Sequence, residues 1–504
     1  MDTDSFYSFP FIYSFCPNQH DLRHKPSIIM TETNFETYSP ERLSDDIERI
    51  RELAESLLPV YGQLTFDEQG NSDHPLYQEL RSLLHPLHPA DMATVLESLP
   101  LDERILVWKL AAPEDDGEVL LEVSDSVRET LMETMGKEEL LAAMEDLSAD
   151  EVADLAADMP HHVVTEVLQN RDEEEREQIQ TALSYEENQV GSIMDFELVS
   201  IRADVSCEVV LRYLRRFEQL PDHTDKVFVV DEDDVLQGVL PIRKLLVSDP
   251  DALVSEIMAK DVVIFHPQDN TEESAQAFEK YDLITAPVVD DTRHLIGRLT
   301  IDAMVDVIRE EGEADMLNMA GLQEEEDLFA PVLDSVKNRW VWLAINLCTA
   351  LVASRVIGLF EGSIEKIVAL AALMPIVAGI GGNSGNQTIT MIVRALATGQ
   401  LDMTGAKYLF KKEIGVALAN GVIWGSIMGV ISYVLYHNLG IGVVMMVAMT
   451  LNLILAAVVG VLIPVTLEKM GRDPALGSSV LITAVTDSGG FFIFLGLASI
   501  FLLH

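Results

Sequence analysis

Three cysteines in 504 residues, Cys16, Cys207 and Cys348, are odd in number, widely scattered and without metal-ligand spacing, which argues against a disulfide framework or a zinc site. Basic residues are also scarce. Only 34 Lys and Arg stand against 83 Asp and Glu, a formal net charge of −49. A chain this acidic repels nucleic acid and anionic lipid and attracts cations, so no nucleic-acid partner is expected. A basic n-region is missing as well, because Asp2 and Asp4 stand in its place, and no signal peptide is expected. Residues 1–45, rich in Ser, Pro, Asn and Thr, are expected to form a disordered tail, with Met30 as an alternative start.

The charge that is present is unevenly spread. From Trp340 onwards there are eight basic and seven acidic residues, so a net −50 sits on residues 1–339. Adaptation to high salt would give such a surface, and so would cation sensing. The nearly neutral third carries apolar runs near 340–360, 364–390, 413–436, 440–467 and 476–503, each long enough to cross roughly 30 Å of hydrocarbon. Five spans with the acidic region in the cytoplasm put Lys337, Arg339, Arg394, Lys407, Lys411, Lys412, Lys469 and Arg472 inside, as the positive-inside bias asks, and leave His504 outside. A multi-pass protein of the plasma membrane, in contact with its lipid, is the expectation. Gly421, Gly425 and Gly429 form overlapping small-xxx-small patterns suited to close helix packing.

Asp487 is the one ionisable residue inside the last apolar run. A carboxylate at mid-bilayer costs about 2.5 to 3.5 kcal/mol on insertion scales, so it is expected to face a polar cavity and mark an ion or proton path. The second expected span is interrupted by Gly381-Gly382-Asn383-Ser384-Gly385-Asn386-Gln387-Thr388. Glycine-broken backbone with clustered amides is tolerated in lipid only where protein or water covers it. Asp487, Asn383, Asn386, Gly382 and Thr388 are therefore candidate pore residues. Oxygen donors suit a hard divalent ion such as Mg2+, which sheds water reluctantly, whereas histidine, which would suit zinc or copper, is missing from the expected spans. A proton relay usually needs several titratable groups in series, and an intramembrane aspartyl protease needs a second aspartate. Neither is found beside Asp487, and no enzymatic activity is expected.

Residues 191–310 contain an internal repeat. Val227-Phe228-Val229-Val230-Asp231 recurs as Ala286-Pro287-Val288-Val289-Asp290, and Leu236-Gln237-Gly238-Val239-Leu240 as Leu295-Ile296-Gly297-Arg298-Leu299, both 59 residues on. Each copy predicts a short strand, an amphipathic helix, two β-branched strands around an acidic turn and a second helix. The pair resembles tandem cystathionine-β-synthase (CBS) domains, a regulatory module. Where nucleotide-binding CBS pairs carry a Ser or Thr followed three residues later by Asp, this chain has Thr300 with Ala303 and Pro241 with Lys244, so nucleotide at the pair is not favoured. Upstream, residues 46–190 are expected to form an all-α superhelical domain of short helices punctuated by Pro100, Pro113 and Pro160. His161 and His162 are adjacent, point apart on a helix and are read as surface residues. A carboxylate-dense connector follows the repeat, with Asp306, Glu310, Glu311, Glu313, Asp315, Glu324, Glu325, Glu326 and Asp327.

The order of parts is a helical domain (46–190), a CBS pair (191–310), an acidic connecting helix (311–338) and a five-span α-helical transmembrane domain (339–504). With Met374-Pro375, the GGNSGNQ run, Asp473-Pro474-Ala475 and Asp487, it resembles the MgtE family of magnesium channels and transporters over residues 80–504. The resemblance implies a homodimer with its pore between protomers, hydrated Mg2+ held at Asp487, and closure by Mg2+ bound between the cytosolic parts. The family's regulatory carboxylates fall on Asp150, Asp154, Glu272, Asp282, Asp306, Glu311 and Asp315, while Ala303 and Ala314 stand where the family often has acids. Mg2+ is thus expected as both cargo and regulator. The alternatives are a CBS-regulated transporter of Co2+ or Mn2+, and a membrane-anchored ion sensor that transports nothing.

Overall fold

The computed structural model describes residues 40–503 apart from 66–71, 112, 218, 323–326 and 399–404. The expected tail up to residue 39, with Cys16 and Met30, as well as Glu324, Glu325, Glu326 and His504, lies outside the described residues.

Ten helices make the first part: α1 (Pro40–Tyr61), α2 (Pro75–Leu84), α3 (Pro89–Glu97), α4 (Leu101–Trp108), α5 (Asp116–Glu122), α6 (Asp125–Thr134), α7 (Lys137–Ala143), α8 (Ala149–Ala156), α9 (His161–Asn170) and α10 (Glu173–Ala182). One apolar core runs through all of them, from Ile50 to Ala182. From α3 onwards the chain repeats every 24 residues. Leu96, Leu120, Met144 and Leu168 close one helix or the stretch after it, and Pro100, Ser124, Ser148 and Asp172 stand at the N-caps of α4, α6, α8 and α10. Arg104, Arg128 and Arg176 fill the next matching slot, and each Nε donates to the carbonyl eight residues back, at Leu96 (2.8 Å), Leu120 (3.0 Å) and Leu168 (2.7 Å). Val152 takes that slot in the third unit. Each arginine thereby satisfies carbonyls that a short helix leaves open at its C-terminus.

The tandem pair follows, as β1 (Ser200–Arg202), α11 (Cys207–Leu214), β2 (Lys226–Val230), β3 (Leu236–Pro241), α12 (Ile242–Val247) and α13 (Val254–Ile257), then α14 (Thr271–Tyr281), β4 (Thr285–Val289) and β5 (Leu295–Thr300). The two copies share one register: Lys226 pairs with Pro241 as Thr285 pairs with Thr300, and both ladders shift at the same place, Val229/Val230 and Val288/Val289. β1 runs parallel to β2, and a parallel bridge from Phe265 to Val288 takes its place in the second copy.

The connector differs from the expected helix over 311–338. α15 (Ile301–Ala320) begins 59 residues after Ile242 of α12, so it is the closing helix of the second copy grown to 20 residues. Gly321, with φ +77°, ends it in the left-handed conformation that glycine adopts without strain. Pro331 then caps α16 (Val332–Gly358).

After α16 and the short α17 (Glu361–Lys366) come α18 (Ala369–Ala397), α19 (Gly405–Tyr436), α20 (Leu439–Lys469) and α21 (Ser478–Leu502). Among the described residues, Ser335–Gly358, Lys407–Tyr436, Leu439–Lys469 and Ser478–Leu502 are long and apolar enough to cross a membrane. The polar run dilutes α18, which at 29 residues is about 43 Å long. The expected break is not there: α18 is continuous through Gly381 to Thr388 and past Pro375. Glycine costs about 1 kcal/mol against alanine inside a helix, and close packing offsets that cost. A side-chain carbon at Gly381 would collide with the Asn452 amide of α20, and one at Gly385 with Ile482 of α21. On α19, carbons at Gly421, Gly425 and Gly429 would press on Thr450, Met446 and Gly442 of α20, so these three are packing residues, as the sequence pattern implied.

Candidate functional site

Two groups of candidate residues emerge, one in the helix bundle and one around α15. In the bundle, α18 and α21 run antiparallel, which sets Gly382 against Thr486 and Gly385 against Ile482. Asp487 follows Thr486 directly and is partly buried; Gly382 is buried, Asn383 exposed and Asn386 partly buried. The Asn386 Oδ1 is shielded and has no hydrogen-bond partner among the described residues. Thr388 turns elsewhere. It is buried against Gly460 of α20, donates to the Ser384 carbonyl at 3.2 Å, and reaches the buried Glu413 of α19 at 3.5 Å.

Sequence reasoning missed Asn452, the polar centre of this bundle. It is fully buried on α20, where its Nδ2 donates to the Val377 carbonyl of α18 at 2.9 Å and its Oδ1 has no partner among the described residues. Gly381 and Gly490 flank it, and a side-chain carbon at either would strike it. Glycines on two other helices were the available signal, but only a fold brings them to one asparagine.

Around α15 the carboxylates of separate elements are turned towards one another. Burial, and then Asp125, Asp154 and Asp306, push the Glu310 carboxyl up to about 6. Asp154 is raised mainly by burial, with Arg128 opposing, and feels Asp125, Asp158 and Asp306. On the opposite side, burial, then Asp473 and Glu311, raise Asp315 to about 6. Glu272 of α14 is raised by burial and by Glu311, Asp315 and Glu468. Asp150 of α8 is pushed up to about 7 by burial and by Asp195, which is itself held by Arg298 at 2.6 Å. The fold thus brings Asp154 and Asp306 into one acidic contact and Glu272, Glu311 and Asp315 into another, with Asp150 in a third. Asp282 does not join them: it is exposed at the C-cap of α14 with φ 51°. Asp125, Asp195, Glu310, Glu468 and Asp473 complete these contacts and were not singled out as ligands from the sequence.

Hard carboxylate oxygens of this kind suit Mg2+. Among the described residues, no group of three or more His, Cys, Asp or Glu side chains could hold a metal ion directly. The carboxylates around α15 instead face one another across separate elements.

The end of α15 is fastened to the bundle. Asn318 Nδ2 donates to Asp473 Oδ2 at 2.8 Å, and the Gly477 N–H donates to the Asn318 carbonyl at 3.1 Å. Met319 packs on Ile389, Val393, Ala475 and Ile482 of the bundle. The Trp342 ring of α16 lies against both Gly321 and Gly477. The end of α15 and the start of α21, ten residues before Asp487, are thus in direct contact.

These features define a membrane protein whose helix bundle is joined, through α15 and a hydrogen bond from Gln276 of α14 to the Ala397 carbonyl of α18, to an acidic region containing a tandem regulatory pair. Residues 374–497 match the MgtE divalent cation transporter model, residues 87–188 the MgtE intracellular N domain, and residues 190–249 and 254–310 the CBS domain. The magnesium transporter MgtE of Thermus thermophilus is 33% identical over 430 residues, covering 84% of this chain and 95% of that one. MgtE of Enterococcus faecalis is 31% identical over 331 residues, covering 66% and 73%. A crystal structure of the cytosolic domain of the Mg2+ channel MgtE in complex with ATP is 30% identical with a TM-score of 0.43, and covers 50% of this chain and 99% of that one. The chain belongs to the MgtE family.

Proposed function

We propose that this protein carries hydrated Mg2+ across the plasma membrane into the cytoplasm, past Asp487, and that Mg2+ bound between its acidic cytosolic elements closes the path. The observation that supports this best is the placement of Asp487: a carboxylate in the middle of a 25-residue apolar helix, beside the polar stretch of α18. A carboxylate there is tolerated if it serves an ion, and the exposed Asn383 of the adjoining polar stretch offers a neutral oxygen to that ion's hydration. Five spans, two protomers around one pore, cytoplasmic N-terminal domains and a C-terminus outside complete the proposed arrangement.

The regulatory half follows from like charges held face to face. With Mg2+ scarce, Asp154, Asp306 and Glu310, and likewise Glu272, Glu311, Asp315 and Asp473, repel across their contacts and loosen the cytosolic region. Bound divalent ions bridge these carboxylates across the contacts and draw the elements into the compact, closed arrangement. Moving a two-state gate from 1:99 to 99:1 needs about 5.5 kcal/mol, which several weak sites can share.

Purified protein in liposomes tests the reading, with Mg2+, Co2+, Mn2+ and Ca2+ offered in turn. Mg2+ flux is expected in the wild type and its loss in Asp487→Asn, which keeps the size and removes the charge. Wild-type flux in that variant would remove Asp487 from the path, and no flux of any ion in the wild type would favour the sensor alternative.

A further inference from the structure

The three arginines of the 24-residue repeat are oriented alike by their Nε bonds, but their outer nitrogens have different partners. Arg176 Nη2 donates to the Arg171 carbonyl at 2.9 Å. Arg128 faces Asp125, Asp154 and Asp158 at 3.6, 3.2 and 3.5 Å, all within the helical domain. Arg104 alone of the three reaches out of that domain. Its Nη1 donates to Asp327 Oδ2 at 2.6 Å and its Nη2 to Asp327 Oδ1 at 2.9 Å, across 223 residues of sequence. This is a two-pronged pair with both side chains out of water, 0% and 9% exposed. Such a fork fixes orientation as well as distance, and removing one partner strands a buried charge.

Each end of the pair is fixed to its surroundings. Arg104 also donates to the Leu96 and Leu99 carbonyls, at 2.8 and 3.1 Å, so the repeat holds the guanidinium in place whether or not Asp327 is there. Asp327 Oδ1 accepts the Phe329 N–H at 2.9 Å, and its carbonyl accepts the Ala330 N–H at 3.0 Å, closing a turn that leads straight to Pro331 and the start of α16. Contacts between the helical domain and α15 bring carboxylates together, whereas this one joins opposite charges and needs no ion.

We propose that Arg104 and Asp327 are positioning residues that tie the helical domain to the entrance of the first membrane helix and so set the Mg2+ concentration at which the path closes. The proposal rests on the reading of this chain as an Mg2+-closed transporter. With the pair intact, the domain is held near α15 before any ion binds, and ions complete a docking already half made. Without it, ions must hold the domain alone, and closure requires more Mg2+.

The test uses full-length protein in liposomes, with flux measured against Mg2+ on the cytosolic side. Asp327→Ala leaves the repeat's own bonds to Arg104 untouched, and should raise the closing concentration about fivefold or more, the range of a typical coupling between sites. Arg104→Ala combined with Asp327→Ala should shift it no further than the larger single change, because both remove one contact. Protection of the helical domain from protease at saturating Mg2+ should stay at the wild-type level in Asp327→Ala, which shows that the domain still folds and docks. A closing concentration that is unchanged or lowered in Asp327→Ala overturns the proposal. So does an equal rise in Arg176→Ala, which would trace the effect to a weakened repeat. A wild type that conducts Mg2+ but never closes would instead defeat the regulatory reading beneath it.

Discussion

In the bundle, a few polar groups are each met by a neutral neighbour: Asn452 by the Val377 carbonyl, Thr486 by the Ile482 carbonyl. Around α15, many carboxylates are met by other carboxylates, as Glu310 is by Asp125, Asp154 and Asp306. One region is held by packing that holds in any solution. The other is assembled largely against its own charge, offset at Asp154 by Arg128 and at Asp327 by Arg104, and on the proposed reading cations from solution offset the rest. On the proposed reading, the bundle is the permanent scaffold and the connector the adjustable element.

The largest effect should come from removing the acidic contacts on both sides of α15 at once. Asp306→Asn, Glu311→Gln and Asp315→Asn together remove from each contact the carboxylate oxygens that a divalent ion bridges, and a neutral amide cannot hold that bridge, so the path should stay open at Mg2+ levels that shut the wild type, by at least about tenfold in concentration. Normal closure of the triple variant, measured as flux, would take α15 out of the gate and undo the comparison. If equal ionic strength of sodium chloride compacted the wild-type cytosolic region as well as Mg2+ does, screening alone would explain the acidity.

A second effect, of intermediate size, concerns protons. Asp150 is raised to about 7, and Glu310 and Asp315 to about 6, from an ordinary carboxylate range near 4. Between about pH 4 and about pH 7 the compact form therefore binds more protons than the loose one. Its stability grows as pH falls through that window and is lost as pH rises through the raised values. Protease protection without Mg2+ should be greater at about pH 5.5 than at about pH 7.5, and the further protection that Mg2+ adds should be smaller at the lower pH, since protons and ions compete for the same oxygens. Protection that is flat over this range, or weaker at the acid end, would show that these carboxylates do not oppose one another in solution.

Much of this was legible in the sequence because it rests on periodicity and charge counts. The 59-residue repeat anticipated the matching strands of the tandem pair, and the small-xxx-small pattern of Gly421, Gly425 and Gly429 marked a close-packing face on α19, whose partner, α20, only the fold shows. The reading of Gly381 to Thr388 as a break failed for a physical reason. Glycine in a membrane helix marks either an unwound stretch or a close neighbour, and Asn452 and Ile482, 71 and 97 residues further along from Gly381 and Gly385, decide between them. The same long range hid the partners of the acidic residues. Asp306 and Glu311 could be picked out as acids in a run, but their opposition to Asp154 and Asp473 exists only once three parts of the chain are packed together. Arg104 read as one of 34 basic residues and Asp327 as one acid of the connector: the 24-residue spacing went unread, and the pairing of the two across 223 residues exists only in the fold.

The smallest effects belong to single amides of the bundle, and they separate scaffold from path. Asn452 is fully buried, and its bond to the Val377 carbonyl ties α20 to α18, so Asn452→Ala should destabilise the bundle by about 1 kcal/mol, the scale of such bonds within membranes. A lowered melting temperature in detergent would report it. Asn383 is exposed and Asn386 partly buried, and each can be replaced by water where an ion keeps its own hydration. Asn383→Ala and Asn386→Ala should leave the melting temperature unchanged and lower Mg2+ flux by less than about twofold each, with the preference for Mg2+ over Ca2+ changing more than the rate. If both variants kept wild-type rate and selectivity, the polar face of α18 would be structural, and Asp487 would act without neutral partners from that helix. A fall in melting temperature with unchanged selectivity would move these amides to the side of Asn452, leaving the charge of Asp487 as the bundle's whole contribution to ion choice.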